Sequence, residues 1–179
     1  MNKVVASAEE AIADLNDGAT VALAGFGLSH RFPNTLLHAL RKKGSKELTL
    51  VCNSLGSAGE KGQLLAENNQ IKKLMASFSV RPGIRTTAEE QIIAGTMEVE
   101  LIPQGVLVER CRAGGAGIPA FYSPTAADTE LAAGKDVRYF NGKAHVLEHA
   151  IHLDFALLSA YRADRAGNVQ LRGDRKSVV

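Results

Sequence analysis

Residues 20–52 read TVALAGFGLSHRFPNTLLHALRKKGSKELTLVC, and this stretch decides the fold class. Its two ends, Thr20–Ala24 and Leu48–Cys52, are short apolar runs of the kind that form buried strands. Between them, Pro33 is predicted as the first residue of a helix, a position that favours proline, and Gly44 is predicted to end that helix. The stretch therefore predicts a strand, a helix and a second strand, which is the repeating unit of a parallel sheet.

The same alternation continues along the chain. A helix is predicted after the capping box at 7–10, and further helices are predicted at 63–68, 87–94 and 106–113. Further strands are predicted at 71–78, 98–102, 154–161 and 169–171. Asn141-Gly142 predicts a hairpin between the apolar runs 137–140 and 143–147, whereas Ile118–Gly134 reads as irregular. These patterns predict one α/β domain over residues 1–179, with a mostly parallel sheet covered by helices on both faces.

The overall composition is that of an ordinary globular protein, with 45% hydrophobic residues. The net charge is +2, from 21 basic and 19 acidic residues that are interspersed, which argues against a surface for nucleic acid. No apolar stretch approaches the roughly 18 residues of a membrane-spanning helix, and the N-terminal residues do not resemble a signal peptide. We therefore expect a cytoplasmic protein that binds neither nucleic acid nor membrane.

Cysteine and histidine give no sign of a disulfide or a metal site. Cys52 and Cys111 fit neither a disulfide framework nor a pair of zinc ligands, and both are interpreted as core thiols. The five histidines show no ligand spacing. The sequence therefore predicts that no metal is bound.

Two neutral amides are the first candidates for a functional site. Ligands of open α/β sheets bind at the carboxyl ends of the strands, and Asn53 and Gln104 come directly after two predicted strands. An amide N–H group can stabilise a developing oxyanion without transferring a proton. The alternative is that each amide satisfies backbone groups of its loop, and their positions alone leave both interpretations open.

Two glycine-rich segments are the other candidates: Gly25-Phe26-Gly27 after the first strand, and Gly114-Gly115-Ala116-Gly117 in a later loop. A glycine backbone lets a ligand approach closely, and its N–H groups can hold an oxyanion or a phosphate. A dinucleotide-binding loop is excluded, because His30 stands where a third glycine is needed and Asn53 stands where an acid would hold the ribose. A tight turn without a ligand remains the alternative for the first segment.

Two longer stretches resemble a known family. Residues 99–122, VELIPQGVLVERCRAGGAGIPAFY, and residues 17–27, DGATVALAGFG, are similar to the A (alpha) subunits of class I coenzyme A transferases, such as the 3-oxoacid, 3-oxoadipate and acetate/acetoacetate enzymes. The segments at 154–157 and 163–168 also match, so the resemblance runs from about Ser7 to Asn168. It implies the CoA-transferase-like fold, which is grouped with the NagB and RpiA proteins.

The resemblance also implies a reaction that this chain does not complete alone. In such enzymes an acyl-CoA thioester is attacked by a glutamate of the B subunit, a glutamyl-CoA thioester forms, and the CoA passes to a second carboxylic acid. The family's A half contributes an Asn and a Gln that match Asn53 and Gln104, and glycine-rich loops that match Gly25–Gly27 and Gly114–Gly117. CoA is then a substrate and not a permanently bound cofactor. The expected assembly with the B subunit is αβ or α2β2.

Two departures from the family pattern keep other interpretations open. The loop at 28–33 is one residue longer than in the family, lacks its glycine and contains His30 and Arg31. This difference leaves room for a CoA-thioester hydrolase or a ring-opening enzyme of the same fold. After Val169 the chain no longer follows the family pattern. A truncated or altered C-terminus is therefore expected, and a non-catalytic member of the fold is the third interpretation.

Overall fold

The computed structural model describes residues 2–26, 31–57, 59–78 and 85–171. The helices in these ranges are α1 Ala8–Ala11, α2 Asn34–Lys43, α3 Gln63–Glu67, α4 Thr87–Ile93 and α5 Gln104–Gly115, with a 3-10 helix at Glu130–Ala132. The strands are β1 Thr20–Leu23, β2 Leu48–Cys52, β3 Ile71–Ala76, β4 Glu98–Leu101, β5 Ala120–Ser123, β6 Val137–Phe140, β7 Lys143–His149, β8 Phe155–Leu157, β9 Arg162–Ala163 and β10 Val169–Gln170. None of the described helices has the length and apolar character needed to cross a bilayer.

Five strands form the parallel sheet that the sequence predicts, in the order β4-β3-β2-β1-β8. The register pairs the last residues of neighbouring strands, Leu23 with Cys52, Cys52 with Ala76 and Ala76 with Leu101. The strands therefore end together along one edge, where ligands of open α/β sheets bind. We call this edge the carboxyl edge and the opposite one the amino edge.

Helices cover both faces of the parallel sheet, as predicted, but unequally. On one face, α1 to α4 pack over a large cluster whose fully buried members include Ile12, Leu15, Val21, Leu37, Leu40, Leu48, Leu50, Leu65 and Leu74. On the other face, α5 packs over a smaller cluster made of Val51, Met75, Ile102, Val106, Leu107 and Ile151. Each fully buried leucine contributes roughly 1.5–3 kcal/mol relative to an exposed one. The first face therefore supplies most of the hydrophobic stabilisation.

Local sequence signals fix the ends of the helices. The Ser7 side chain accepts a hydrogen bond from the backbone N–H of Glu10 at the start of α1. Helix α2 ends at Gly44, whose φ of 79° lies in the left-handed region that glycine tolerates best. The sequence predicts Pro33 as the first helical residue of α2. In the structure it is the N-cap, one position before the helix begins. These boundaries follow from single residues and their immediate neighbours.

A second sheet, antiparallel and in the order β5-β7-β6, lies against α5. The hairpin predicted at Asn141-Gly142 is confirmed, and its two residues have positive φ angles of 49° and 75°, as a type I′ turn requires. The prediction that Ile118–Gly134 is irregular is wrong in part, because Ala120–Ser123 forms β5. This strand depends on its ladder with residues 146–149, a distant contact that no local pattern indicates.

Helix α5 extends beyond the predicted 106–113 at both ends. It begins at Gln104 and continues through Gly114 and Gly115. A Cβ at Gly114 would lie 2.1 Å from the carbonyl oxygen of Ile151, so only glycine lets the segment after β7 cross this close to the helix. Gly114 is therefore explained by packing and not by the need to end the helix.

A cluster of charged side chains fixes α5 against both sheets. Arg110 of α5 is 7% exposed, and its Nη1 atom lies 2.6 Å from Glu100 of β4 and 3.8 Å from Glu148 of β7. Each carboxylate has a second cationic partner, at 3.0 Å in the Lys73–Glu100 pair and at 2.8 Å in the Lys135–Glu148 pair. Buried charges are costly unless they are paired. The pairing therefore holds the helix in one position between β4 and β7.

Candidate functional site

Polar residues follow three neighbouring strands at the carboxyl edge. Asn53 follows β2, Ser77 follows β3, and Gln104 begins α5 shortly after β4. The Gln104 Nε2 group donates a hydrogen bond of 3.0 Å to the Asn53 Oδ1 atom. The two amides that the sequence analysis selects as catalytic candidates are thus in direct contact, although 51 residues separate them in the chain.

Helix α5 brings Gln104 to this edge with an uncapped N-terminus. Pro103 is the N-cap residue, with φ −52° and ψ 136°, and within the described ranges no side-chain hydrogen bond caps this end. The first turn contains no acidic residue. The first N–H groups of a helix have no partners within the helix and carry partial positive charge. This end of α5 therefore favours a negatively charged group of a ligand.

The amide pair offers hydrogen-bond donors. Because the Asn53 Oδ1 atom accepts from Gln104, the Asn53 Nδ2 group keeps its two N–H donors for other partners. The backbone of Asn53 is held in place as well, since its carbonyl accepts a 3.0 Å hydrogen bond from the N–H of Phe78. Within the described residues, neither amide is hydrogen-bonded to a carboxylate. Such a group of oriented donors can stabilise an oxyanion.

Three titratable groups on the elements that lead to or carry the pair, Cys52 of β2, Glu100 of β4 and Cys111 of α5, have shifted pKa values. Burial acts to raise the pKa of Glu100, but hydrogen bonds from Arg110 and Lys73 and the charges of both outweigh it and lower that pKa below its usual value. Burial raises the pKa of the Cys52 thiol to about 12 and also raises the pKa of Cys111. Because the thiolate is the nucleophile, neither cysteine is suited to attack a substrate at neutral pH.

Both cysteines pack with the core clusters, in agreement with the prediction that they are core thiols. Within the described ranges, no three His, Cys, Asp or Glu side chains are grouped so that they could hold a metal ion.

The first glycine-rich segment lies at the carboxyl edge after β1. Gly25 has a φ of 136°, and a Cβ there would lie 2.8 Å from the ring of Phe32. The backbone conformation and the packing against Phe32 therefore both favour glycine at this position, without any need for a ligand. Phe26 is 42% exposed, and Gly27 lies outside the described residues, as do positions 28–30 of the loop that departs from the family pattern. The binding role of Gly25, Phe26 and Gly27 stays a prediction.

The second glycine-rich segment lies far from the amide pair. Gln104 is the first residue of α5, and Gly114 and Gly115 are its last residues. With a rise of 1.5 Å per residue, Gln104 and Gly114 are about 15 Å apart along the helix axis. Within this chain, the structure does not bring Gly114, Gly115, Ala116 or Gly117 to the amides. A Cβ at Gly115 would meet no atom within 4 Å, and the binding role of this segment stays a prediction.

Ser77 is a polar residue of this edge that the sequence analysis does not select. The predicted strand 71–78 includes it, so the apolar pattern assigns it to the sheet. The structure ends β3 at Ala76, and Ser77 follows that strand as directly as Asn53 follows β2. Its position after a strand was therefore the signal that could have found it.

A family model described as coenzyme A transferase matches residues 5–177. The chain belongs to the coenzyme A transferase family. Two relatives of this transferase chain are named as the A subunits of succinyl-CoA:3-ketoacid coenzyme A transferases. The relative from Helicobacter pylori strain J99 is 44% identical over 172 residues, which cover 96% of this chain and 72% of the relative. The relative from Xanthomonas campestris pv. campestris strain B100 is 46% identical over 172 residues, which cover 95% and 69%.

Solved structures of similar shape confirm the predicted CoA-transferase-like fold. The acyl-CoA transferase YdiF of Escherichia coli O157:H7, in a thioester complex with CoA, has a TM-score of 0.84 at 21% identity, covering 95% of this transferase chain and 39% of YdiF. Glutaconate coenzyme A-transferase of Acidaminococcus fermentans has a TM-score of 0.76 at 21% identity, covering 94% and 60%. A variant of the decarboxylase AibA/AibB has a TM-score of 0.78 at 27% identity, covering 96% and 68%.

Proposed function

We propose that this chain is the A subunit of an enzyme that moves CoA from an acyl-CoA, such as succinyl-CoA, to a carboxylic acid, such as a 3-oxo acid. The observation that carries the proposal is the hydrogen bond between Gln104 and Asn53 at the carboxyl edge, beside the uncapped N-terminus of α5. The names of relatives at 40–46% identity support this pair of substrates.

The nucleophile of the proposed reaction is a glutamate of a B subunit. The amide pair of this chain contributes donors, and an attacking carboxylate has to come from elsewhere for the reaction to proceed. The relatives are named as one subunit of their enzymes, which supports a partner chain. An αβ or α2β2 assembly, with CoA as a substrate, is part of this proposal.

Each chemical step in this proposal places negative charge on an oxygen atom. The glutamate oxygen attacks the thioester carbonyl, the carbonyl oxygen becomes an oxyanion, and its collapse expels the CoA thiolate. The thiolate then attacks the glutamyl carbonyl of the anhydride, displaces the free acid and leaves a glutamyl-CoA thioester. The acceptor acid passes through the same steps in reverse. The Asn53 Nδ2 group and the first N–H groups of α5 are oriented donors for these oxyanions.

The test is co-expression of this chain with a B-type subunit, followed by incubation with succinyl-CoA and acetoacetate or 3-oxoadipate. We expect CoA to appear on the acceptor acid only when both chains and the acceptor are present. A complex that forms but transfers no CoA to any of a panel of acids would contradict the proposal. The isolated B subunit is the control for transfer that does not need this chain.

A second candidate is a reaction on CoA thioesters that needs no acceptor acid. The observation that favours it is the similarity to the AibA/AibB decarboxylase at 27% identity over 96% of this chain. The same assay without acceptor separates the two functions. Release of free CoA or of carbon dioxide under those conditions would support the second candidate, whereas strict dependence on the acceptor supports the transferase.

A further inference from the structure

Ser77 carries a hydroxyl whose hydrogen-bonding capacity is unused among the described residues. Its Oγ atom is buried, and no described residue forms a hydrogen bond with it. Nearly all buried side-chain polar atoms in proteins have such a partner, because an unpaired buried hydroxyl has lost its bonds to water without replacing them. An orphaned hydroxyl at the ligand-binding edge of an α/β sheet therefore indicates a partner that arrives with a ligand.

Backbone hydrogen bonds place Ser77 between the two amides. On the side of β2, the carbonyl of Asn53 accepts a 3.0 Å hydrogen bond from the residue after Ser77. On the side of β4, the N–H of Ile102 donates a 2.9 Å hydrogen bond to the residue before Ser77. Ser77 is therefore flanked by Asn53 on one side and by the segment that leads into Gln104 on the other.

The side chain of Ser77 lies on the same face of the sheet as the amides. Val51 and Met75 belong to the cluster under α5, and residues two apart along a strand share a face. Asn53 comes two residues after Val51, and Ser77 comes two residues after Met75. The backbone hydrogen bonds between neighbouring strands continue past the strand ends to include both positions. The Gln104–Asn53 hydrogen bond joins α5 to β2 across the end of β3, which lies between β2 and β4. Strand alternation and these ladders therefore assign the Ser77 side chain to the face that α5 covers, between Asn53 and the segment that leads into Gln104.

We propose that the Ser77 hydroxyl is a third hydrogen-bond donor of this site and that it binds the acyl oxygen on which negative charge develops. This inference rests on the proposed function, and its ligand is the carbonyl oxygen of an acyl thioester. A hydroxyl can rotate to direct its one proton at such an oxygen. Nothing in the described part of the chain pairs it with a base, as activation of a serine nucleophile requires. Ser77 therefore donates a hydrogen bond and does not attack.

The test is Ser77→Ala in the complete complex of this chain with its B subunit. We expect kcat for CoA transfer to fall by about 10-fold to 100-fold with little change in KM, as when one donor of an oxyanion site is removed. We also expect an unchanged or higher melting temperature in the absence of substrate, because the variant no longer buries an unpaired hydroxyl. Loss of activity without loss of stability is the signature that a merely structural serine does not give.

Ser45→Ala is the matched control. Ser45 is also buried, but it lies at the amino edge and its hydroxyl donates a 2.7 Å hydrogen bond to the carbonyl of Leu15. We expect this variant to lose thermal stability and to keep the kcat of the wild type. If Ser77→Ala instead lowers the melting temperature as Ser45→Ala does, or changes kcat by less than about twofold, Ser77 is structural and the proposal is overturned.

Failure of the proposed function can be told apart from failure of this inference. If the wild-type complex transfers no CoA, the proposed function fails, and Ser77 is then tested by the rise in melting temperature on addition of succinyl-CoA. A smaller rise for Ser77→Ala than for wild type and Ser45→Ala supports a contact with the acyl thioester. Equal rises in all three proteins, or no rise in any of them, would overturn it.

Discussion

At the amino edge of the parallel sheet, the buried Gln70 and Ser45 side chains are hydrogen-bonded to the backbone, whereas at the carboxyl edge Asn53 and Gln104 bond to each other and the Ser77 hydroxyl bonds to no described residue. Gln70 precedes β3 at the amino edge and is fully buried, and its Nε2 group donates to the carbonyls of Leu40 and Ser45 at 3.0 and 2.9 Å. At the carboxyl edge, Gln104 and Asn53 form an exposed pair. Two glutamine amides at the two edges of the same sheet thus differ in exposure and in hydrogen-bond partners.

This difference teaches how the fold divides stability from function. The amino edge uses polar side chains to satisfy the carbonyls of Leu15, Leu40 and Ser45, which joins the segments that precede the strands. Among the described residues, the carboxyl edge leaves the Asn53 Nδ2 group, the Ser77 hydroxyl and the α5 N-terminus with unused donors. Unused donors lower stability or leave it unchanged, but they are what an anionic ligand or transition state needs. Substitutions at the two edges should therefore affect different measurements.

The largest effect is expected at the carboxyl edge, for Gln104→Ala. The change removes the group that orients the Asn53 amide, so we expect kcat for CoA transfer to fall about 100-fold, equivalent to about 2.7 kcal/mol of transition-state stabilisation. The free energy of unfolding should stay within about 0.5 kcal/mol of wild type, because the pair is exposed. Steady-state kinetics and urea unfolding measure the two quantities. Glu109→Ala, a change of a surface residue on the same helix, is the control, and a loss below twofold for Gln104→Ala would contradict the role of the amide.

A smaller effect of the opposite kind is expected at the amino edge, for Gln70→Leu. The variant introduces an apolar side chain of similar size and removes the Nε2 donor from the carbonyls of Leu40 and Ser45, of which Leu40 still accepts from the N–H of Gly44. We expect a loss of about 2 kcal/mol in the free energy of unfolding and no change in kcat per folded complex. Thr96→Ala is the control, since Thr96 also lies at the amino edge but is exposed, and water can replace the hydrogen bond of its hydroxyl to the carbonyl of Gln91. If the loss in kcat, expressed as transition-state free energy, exceeds the loss in the free energy of unfolding, the separation of stability from function between the two edges is contradicted.

The next effect in size is a loss of stability, expected for Lys43→Met. The Lys43 ammonium donates to the carbonyls of Ile12, Ala13 and Leu15 at 2.7–3.0 Å and so closes the segment after α1. We expect its loss to cost about 1.5 kcal/mol in urea unfolding, because hydrogen bonds from charged donors contribute more than neutral ones. The neighbouring Lys42→Met, which removes a lysine that is 79% exposed and 3.8 Å from Glu9, should change stability by less than about 0.5 kcal/mol. Equal effects of the two lysines would contradict this account.

The smallest effect is a pH dependence in the cluster that holds α5. The pKa of Glu100 is lowered in the folded protein despite its partial burial, so its ionised form stabilises the fold above the pKa of the unfolded chain, and this contribution is lost as the pH falls through the folded pKa. We therefore expect Glu100→Gln to be less stable than wild type near neutral pH, with the difference shrinking between about pH 5 and pH 3. Glu98→Gln, on the same strand, is the control. A difference that does not vary with pH would show that the charge of Glu100 is not the cause.

The sequence predicted a large part of the fold because many signals are local. The strand, helix and strand of residues 20–52, the helix end at Gly44 and the hairpin at Asn141-Gly142 were all predicted and are all present. Strand β5 was missed because its short segment forms a strand through pairing with β7. The extent of the last parallel strand was overestimated, since β8 covers Phe155–Leu157 and not the predicted 154–161.

The sequence predicted which residues belong to the candidate site better than it predicted how they are arranged. The rule that ligands bind after the strands selects Asn53 and Gln104, and the structure joins them. The rule says nothing of Gly114 to Gly117, which follow a helix and not a strand, and the structure places them at or beyond the end of α5 opposite Gln104. The rule did not select Ser77, because the predicted strand 71–78 included this residue, whereas the structure ends β3 at Ala76.

By itself, the sequence determined the alternation of strands and helices, the ends of the helices and membership of the coenzyme A transferase family. These properties depend on periodicity, single capping residues and long matched segments, all of which are read along the chain. The tertiary structure alone decided which distant polar groups meet: Gln104 with Asn53, Arg110 with Glu100 and Glu148, and Ser77 with none of the described residues. Such contacts depend on strand order, on the face that each side chain takes and on the path of α5. Packing sets these together, so no local stretch of sequence specifies them.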